Sequence, residues 1–197
     1  ITDSSFSNNH SHGGGAIFNS LGGSLTSTNC IFSENLTTGL HDPGSSRGGA
    51  IYNEGTLNVI SNNFSNNTSS GFVGGGFGSG IYNSGTLTVI NSNFSGNQTS
   101  GGGPSQGAGG GIYNGGTLIV TDSTFSGNSV NFGSSGSLQN GMGGGIYNSA
   151  NLTVSNSTFS NNGVALRGNG KGGGIYNSGT LILTNATFSG NKASSNN

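Results

Sequence analysis

Charged residues are scarce in this sequence. Only 5% of the 197 residues are Asp, Glu, Lys or Arg, and the formal net charge is −1. A chain without a basic field has no long-range electrostatic attraction for nucleic acid or for an anionic lipid surface. The sequence also lacks any apolar run of the length that a membrane-spanning helix requires. We therefore expect no nucleic-acid partner and no membrane insertion.

Tryptophan is absent, and there is one cysteine, Cys30. A single cysteine cannot form a disulfide within the chain, so it says little about the redox compartment. Cys30 stands two residues before Phe32, at a position where other repeats carry small residues such as Ser92 and Ser123. We interpret Cys30 as a small buried substitute at this position.

Glycine is abundant, with 42 residues, and by composition alone this excess would suggest a disordered, low-complexity chain. The order of the apolar residues contradicts that interpretation. The motif GGGIYN recurs in six near-identical copies, at spacings of 29 to 34 residues, with its isoleucine at Ile17, Ile51, Ile81, Ile112, Ile146 and Ile175. Recurrence at such a period is typical of a repeat architecture.

Two further motifs, T-L-x-V and F-S-x-N, follow each copy of GGGIYN. Within all three motifs apolar and polar residues alternate, which is the period of a half-buried strand. Gly, Asn and Ser occupy the joints between motifs, where they favour turns and left-handed backbone. No segment has helical periodicity, so the strands of successive repeats must pair in parallel by coiling.

The sequence thus predicts an all-β fold, a right-handed parallel β-helix with six to seven coils of three short strands. We expect one solenoid segment over residues 1–197 that begins in the middle of a coil. Length varies at one joint only, which predicts a row of loops along one edge of the rod, where solenoids commonly carry recognition. The predicted loops are 36–47, 68–79, 98–108, 129–142 and 163–171.

The repeats also predict columns of like residues. Inward phenylalanines form one column: Phe32, Phe64, Phe94, Phe125, Phe159 and Phe188. The asparagines of GGGIYN form a second, a hydrogen-bonded ladder with a structural role: Asn19, Asn53, Asn83, Asn114, Asn148 and Asn177.

The tyrosines of GGGIYN form a third column, at Tyr52, Tyr82, Tyr113, Tyr147 and Tyr176. Alternation places them opposite the isoleucines, on the outer face. Two interpretations stay open. The rings stack on one another and shield the sheet, or they form an interaction stripe for sugar rings or for lateral packing.

Nothing in the sequence favours catalysis. Sugar-cleaving enzymes need paired acids, whereas the acids here are scattered over the repeats: Asp3, Glu34, Asp42, Glu54 and Asp122. The densest charged segment is the Glu34–Arg47 loop, which includes His41 and Asp42. We interpret it as a solvated loop rather than a metal site, and we expect no catalytic residues, no metal and no cofactor.

The GGGIYN and FSxN motifs together resemble the GGA(I/L/V) and FxxN repeats of chlamydial polymorphic outer-membrane proteins. They are also similar to repeat arrays in very large secreted bacterial β-helix proteins. The resemblance covers essentially the whole chain, from Gly14–Asn19 to Gly173–Asn177. It implies a right-handed parallel β-helix at the cell surface or outside the cell, commonly an adhesin or a passenger domain.

We therefore expect a non-catalytic extracellular structural or adhesive rod. Neither end of the sequence has a recognisable cap, so we expect either a longer parent chain or self-association, end to end into a filament or side by side. The alternative is a β-helix that binds or cleaves carbohydrate, such as a surface polysaccharide, through the tyrosine stripe and the Glu34–Arg47 loop.

Overall fold

The computed structural model describes residues 1–39, 46–71, 74–101, 107–132, 140–165 and 169–194. In these residues all regular structure is β, and every strand pairs in parallel with its counterpart one coil away. The predicted all-β parallel β-helix is confirmed. Six GGGIYN strands enclose five full turns, with partial turns before and after them. The expected six to seven coils were too many, because the incomplete end coils were counted as whole ones.

Each coil passes through up to five strands in a fixed order. The isoleucine sheet contains Ile17–Asn19, Ile51–Asn53, Ile81–Asn83, Ile112–Asn114, Ile146–Asn148 and Ile175–Asn177. The leucine sheet contains Ser24–Thr28, Thr56–Ile60, Thr86–Ile90, Thr117–Thr121, Asn151–Ser155 and Thr180–Thr184. The phenylalanine sheet contains Ser5–Ser7, Ile31–Ser33, Asn63–Ser65, Asn93–Ser95, Thr124–Ser126, Thr158–Ser160 and Thr187–Ser189.

Two further sheets were not predicted. The hydroxyl sheet contains His10–Ser11, Leu36–Gly39, Thr68–Gly71, Gln98–Gly101, Ser129–Phe132, Gly163–Ala165 and Lys192–Ala193. The return sheet contains Ser46–Arg47, Gly76–Phe77, Gly107–Ala108 and Gly141–Met142. Apart from His10–Ser11 and Lys192–Ala193, these strands lie within the segments expected to be loops, so the prediction of three strands per coil was too low. Their inward residues are mostly Ser, Thr and Gly, which give no hydrophobic alternation.

Strands of one sheet pair without offset, so identical residues stack. Phe64 lies opposite Phe32 on one side and Phe94 on the other. The phenylalanine rings from Phe6 to Phe188 stack face to face, with centroids 4.6–4.9 Å apart and planes within 8° of parallel. With the buried isoleucines, leucines and valines, these rings form one continuous core.

The predicted asparagine ladder is confirmed. Asn53 Nδ2 donates to Asn83 Oδ1 at 2.7 Å, and Asn83 Nδ2 donates to Asn114 Oδ1 at the same distance. The FSxN asparagines form a second ladder, in which Asn67 Nδ2 donates to Asn97 Oδ1 at 2.9 Å. These buried amides satisfy one another and nearby backbone groups, as buried polar groups must.

Three corners of each coil have left-handed backbone. One corner follows the leucine sheet and another follows the phenylalanine sheet, as at Asn91 (φ 49°) and Asn66 (φ 56°). The third corner precedes the isoleucine sheet and is always glycine, as at Gly48 (φ 67°), where a Cβ would lie 2.1 Å from Ile51 O. Only glycine avoids both the strain and the clash at that third corner.

A second, narrow interior lies between the hydroxyl sheet and the glycines that precede each strand of the isoleucine sheet. Ser69 Oγ donates to Ser46 O at 2.6 Å, and the hydroxyls of Ser79 and Thr99 are 2.8 Å apart. The backbones approach so closely that a Cβ at Gly49 would lie 2.3 Å from Ser79 O. Glycine and short hydroxyl side chains therefore close the edge of the coil from which the inserts emerge.

Ser27 is an irregular member of the leucine sheet, because it occupies the position held by Val59 in the next coil. It is fully buried, and its hydroxyl has no hydrogen-bond partner among the described residues. We predict that Ser27→Val raises the free energy of unfolding by about 1–3 kcal/mol, because it removes an unsatisfied hydroxyl and adds buried methyl groups. Urea unfolding measures this change. The matched reverse variant, Val59→Ser, should be destabilising, and a destabilised Ser27→Val protein would contradict the assignment.

Candidate interaction face

The tyrosine stripe lies on the outside of the isoleucine sheet. In the strand Ile81–Asn83 the flanking Ile81 and Asn83 are buried, while Tyr82 between them is half-buried. The same alternation holds at Tyr52, Tyr113 and Tyr147. The stripe is therefore accessible from solvent, and its members are one coil apart.

Most of the stripe is a stack in which each ring covers the next. The Tyr82–Tyr113, Tyr113–Tyr147 and Tyr147–Tyr176 centroids are 4.7, 4.8 and 5.3 Å apart, with planes within 13° of parallel. Stacking at the coil spacing leaves the ring edges at the surface. Tyr113 and Tyr147, which have a parallel ring on both sides, therefore offer little ring face to a ligand.

The stack is interrupted at Tyr52. Its ring stands at 83° to Phe18 and at 81° to Tyr82, with centroids 4.7 and 4.9 Å away. Tyr52 therefore meets both neighbours edge to face, and no ring lies parallel against it. Among the described tyrosines of the stripe, Tyr52 alone is turned away from the stacking direction.

Two opposite charges flank the Tyr52 hydroxyl. Arg47 Nη1 donates to this oxygen at 3.1 Å, and the hydroxyl donates to Glu54 Oε1 at 2.8 Å. The Arg47 guanidinium also lies over the Tyr82 ring, with Cζ 5.1 Å from its centroid, a cation–π distance. Arg47 ends a strand of the return sheet and Glu54 follows a strand of the isoleucine sheet, so the corner between them brings both to Tyr52.

Burial and these contacts shift the pKa values of the face. Burial is the largest cause raising the pKa of Tyr52, and its hydrogen bond to Glu54 acts in the same direction. Burial likewise raises the pKa of Tyr82, Tyr113 and Tyr147. Burial lowers the pKa of Arg47, but the hydrogen bond and the charge interactions with the tyrosines outweigh it, so the net pKa is raised. At neutral pH the face thus presents neutral hydroxyls and a charged guanidinium.

Comparison with known families found a similar repeat. The model of the Chlamydia polymorphic membrane protein repeat matches residues 3–20, 29–54 and 156–178, together about a third of the chain. The chain is a β-helix repeat protein whose matched repeats are similar to those of polymorphic membrane proteins. No curated protein and no solved structure matches it. Repeats of this type indicate association with the outer membrane or the cell surface.

The structure of this β-helix repeat protein brings only part of the predicted site together. Within the Glu34–Arg47 loop, Glu34 lies exposed at a left-handed corner, whereas Arg47 bonds to Tyr52. His41 and Asp42 lie outside the described residues, as does Arg167 of the last insert. The described residues contain no cluster of three or more His, Cys, Asp or Glu that could hold a metal ion. Nor do they contain a helix that is long and apolar enough to cross a membrane.

Glu54 is the member of the face that sequence reasoning did not select. It follows the ladder asparagine directly, and the other repeats carry a small residue at that position: Ser20, Ser84, Gly115, Ser149 and Ser178. A single acid in a column of small residues was the available signal. An exception in a regular array is a place to expect a function-specific residue.

The raised tyrosine pKa values predict a loss of stability in alkali. The unfolded tyrosines lose their protons near their usual pKa of about 10, whereas the folded ones keep theirs to higher pH. Their contribution to the free energy of unfolding is therefore complete below about pH 10 and is lost as the pH rises through the raised folded values. Urea unfolding at a series of pH values measures this loss. A Tyr113→Phe, Tyr147→Phe double variant should lose less stability in alkali, and an unchanged pH dependence would contradict the prediction.

Proposed function

We propose that this chain is a non-catalytic structural or adhesive rod on the outside of the cell. The observation that carries the proposal is the in-register stacking of like side chains through successive coils. Stacked phenylalanines and hydrogen-bonded asparagines give a continuous interior, while the tyrosine stripe lies on the outside. Such an architecture extends a surface by adding coils and leaves recognition to outward side chains.

The positions of the acids support a non-catalytic role. Asp3 and Asp122 share one corner column but are four coil steps apart, a separation of about 19 Å at the spacing of paired strands. Glycoside hydrolysis with a carboxylate pair requires a separation of about 5–10 Å. Glu54 hydrogen-bonds to Tyr52 rather than to a second acid.

This proposal predicts surface exposure without enzymatic activity. Antibodies raised against the purified chain should label intact, unpermeabilised cells of the organism that encodes it, because the rod lies outside. The purified chain should release no reducing ends from neutral or acidic polysaccharides. Labelling that requires permeabilised cells would contradict the location, and release of reducing ends would contradict the non-catalytic role.

A second candidate function is end-to-end self-association. Both asparagine ladders have one direction, since each side-chain amide donates to the asparagine of the following coil. At the last described coil the ladders end in the side-chain N–H groups of Asn177 and Asn191. At the first coil they begin with the side-chain carbonyl oxygens of Asn9 and Asn19. The last described coil also exposes 45% of Leu183 and 43% of Phe188. We propose that the first coil of a second copy docks on this end with its ladders in register, and a heterologous contact of this kind gives a filament.

The self-association proposal predicts concentration-dependent rods for the 197-residue chain. Leu183→Lys should prevent their growth, because docking would bury an unpaired charge. Ile119→Lys is the matched control, since Ile119 is 42% exposed on the lateral face of the leucine sheet. Sedimentation velocity and electron microscopy measure rod length. Short monodisperse particles from the unmodified chain, or equal effects of both variants, would contradict end-to-end docking.

A further inference from the structure

The interruption of the tyrosine stack creates a surface unlike the rest of the stripe. From Tyr82 to Tyr176 the rings stack in one row, so Tyr113 and Tyr147 have a parallel ring on both faces and Tyr82 and Tyr176 have one on a single face. Tyr52 is perpendicular to both of its aromatic neighbours, so no parallel ring occupies its faces. Tyr52 is therefore the described tyrosine of the stripe with no parallel ring on either face, and the Arg47 guanidinium lies toward its ring, with Cζ 5.9 Å from the centroid.

The Tyr52 ring lies close to a glycine of the preceding coil. Gly13 pairs with Arg47 across neighbouring coils, and a Cβ at Gly13 would approach Tyr52 Cδ1 to 3.2 Å. In the following coil the equivalent of Arg47 is Phe77, whose ring lies 5.5 Å from Tyr113 and occupies the corresponding space. At Tyr52 this column position is glycine, so no side chain from it covers the ring as Phe77 does at Tyr113.

Donors and an acceptor surround this ring. Arg47 has further N–H groups on its terminal nitrogens beyond the one that bonds to Tyr52. Glu54 bonds through one carboxylate oxygen, Oε1, and its second oxygen can accept. The opposite charges of Arg47 and Glu54 offset each other, so this surface does not select a strongly charged ligand.

We propose that Tyr52, Arg47 and Glu54 form a binding subsite for one pyranose ring of a neutral polysaccharide. The apolar C–H face of the sugar packs on Tyr52. One sugar hydroxyl accepts a hydrogen bond from Arg47, and the adjacent hydroxyl donates one to Glu54. A vicinal diol can make both hydrogen bonds at the same time. The carboxylate of Glu54 would repel an anionic sugar. The subsite rests on the proposed adhesive function and names the class of ligand that the rod holds.

Fluorescence anisotropy with labelled neutral polymers tests the subsite. Dextran, mannan and galactan are the neutral probes, and polygalacturonate and heparin are the anionic ones. We expect the unmodified chain to bind at least one neutral probe with little dependence on salt. Tyr52→Ala should weaken that binding at least tenfold. Glu54→Gln should weaken it severalfold, because it leaves the Tyr52 ring in place.

Tyr147→Ala is the matched control, because Tyr147 is also half-buried but has rings stacked on both sides. It should change affinity less than twofold. Thermal unfolding of each variant verifies that it is folded, and Glu54→Gln keeps the test decisive if Tyr52→Ala does not fold. No binding to any neutral probe, equal losses in both tyrosine variants, or salt-sensitive binding to anionic probes alone would overturn the subsite.

These outcomes are separable from those of the proposed function. Surface labelling and end-to-end assembly do not involve Tyr52, so a failed subsite leaves the structural rod intact. Release of reducing ends from a bound neutral probe would instead retain the subsite and overturn the non-catalytic role.

Discussion

Backbone hydrogen bonding between successive coils is the constraint on which the rest of this structure depends. Parallel strands pair at about 4.8 Å, so each side chain lies directly against its counterpart one coil away. Only residues that interact well with copies of themselves can fill such a column. Phenylalanine does so by stacking, asparagine by amide-to-amide hydrogen bonds, and isoleucine, leucine and valine by close packing.

The same constraint explains why glycine is concentrated where it is. A coil closes only if its backbone reverses at left-handed corners and if the segment before each isoleucine strand lies against the hydroxyl sheet. Gly48 satisfies the first requirement and Gly49 the second. The composition that by itself suggested disorder is thus required by close approach of backbone to backbone.

Departures from regularity are informative in an array of this kind. Ser27 breaks a valine column in the interior, where it leaves a buried hydroxyl unpaired. Glu54 breaks a column of small residues on the surface, and there the chain gains a hydrogen-bonded charge beside Tyr52. We expect the first departure to reduce stability, whereas the second places a negative charge beside Arg47 on the outer face.

Much of the fold was predictable from the sequence because aligning the repeated motifs shows which residues of successive coils lie opposite each other. The period-two alternation of T-L-x-V and F-S-x-N located three of the five sheets, and the spacing of GGGIYN indicated coiling. The hydroxyl and return sheets were missed because strands such as Thr68–Gly71 have no apolar alternation. Their pairing is maintained by backbone hydrogen bonds, to which a pattern of hydrophobic residues is insensitive.

The sequence by itself determined which residues share a column, since a parallel coil places equivalent residues one above the other. It therefore assigned Tyr52 and its four counterparts to one outward stripe. Only the tertiary structure decided that four of these rings stack and that Tyr52 turns. That choice depends on Arg47 and Glu54, which come from different strands and meet at Tyr52 through the geometry of a corner. A ring orientation is set by such neighbours, and no periodicity in a single chain encodes it.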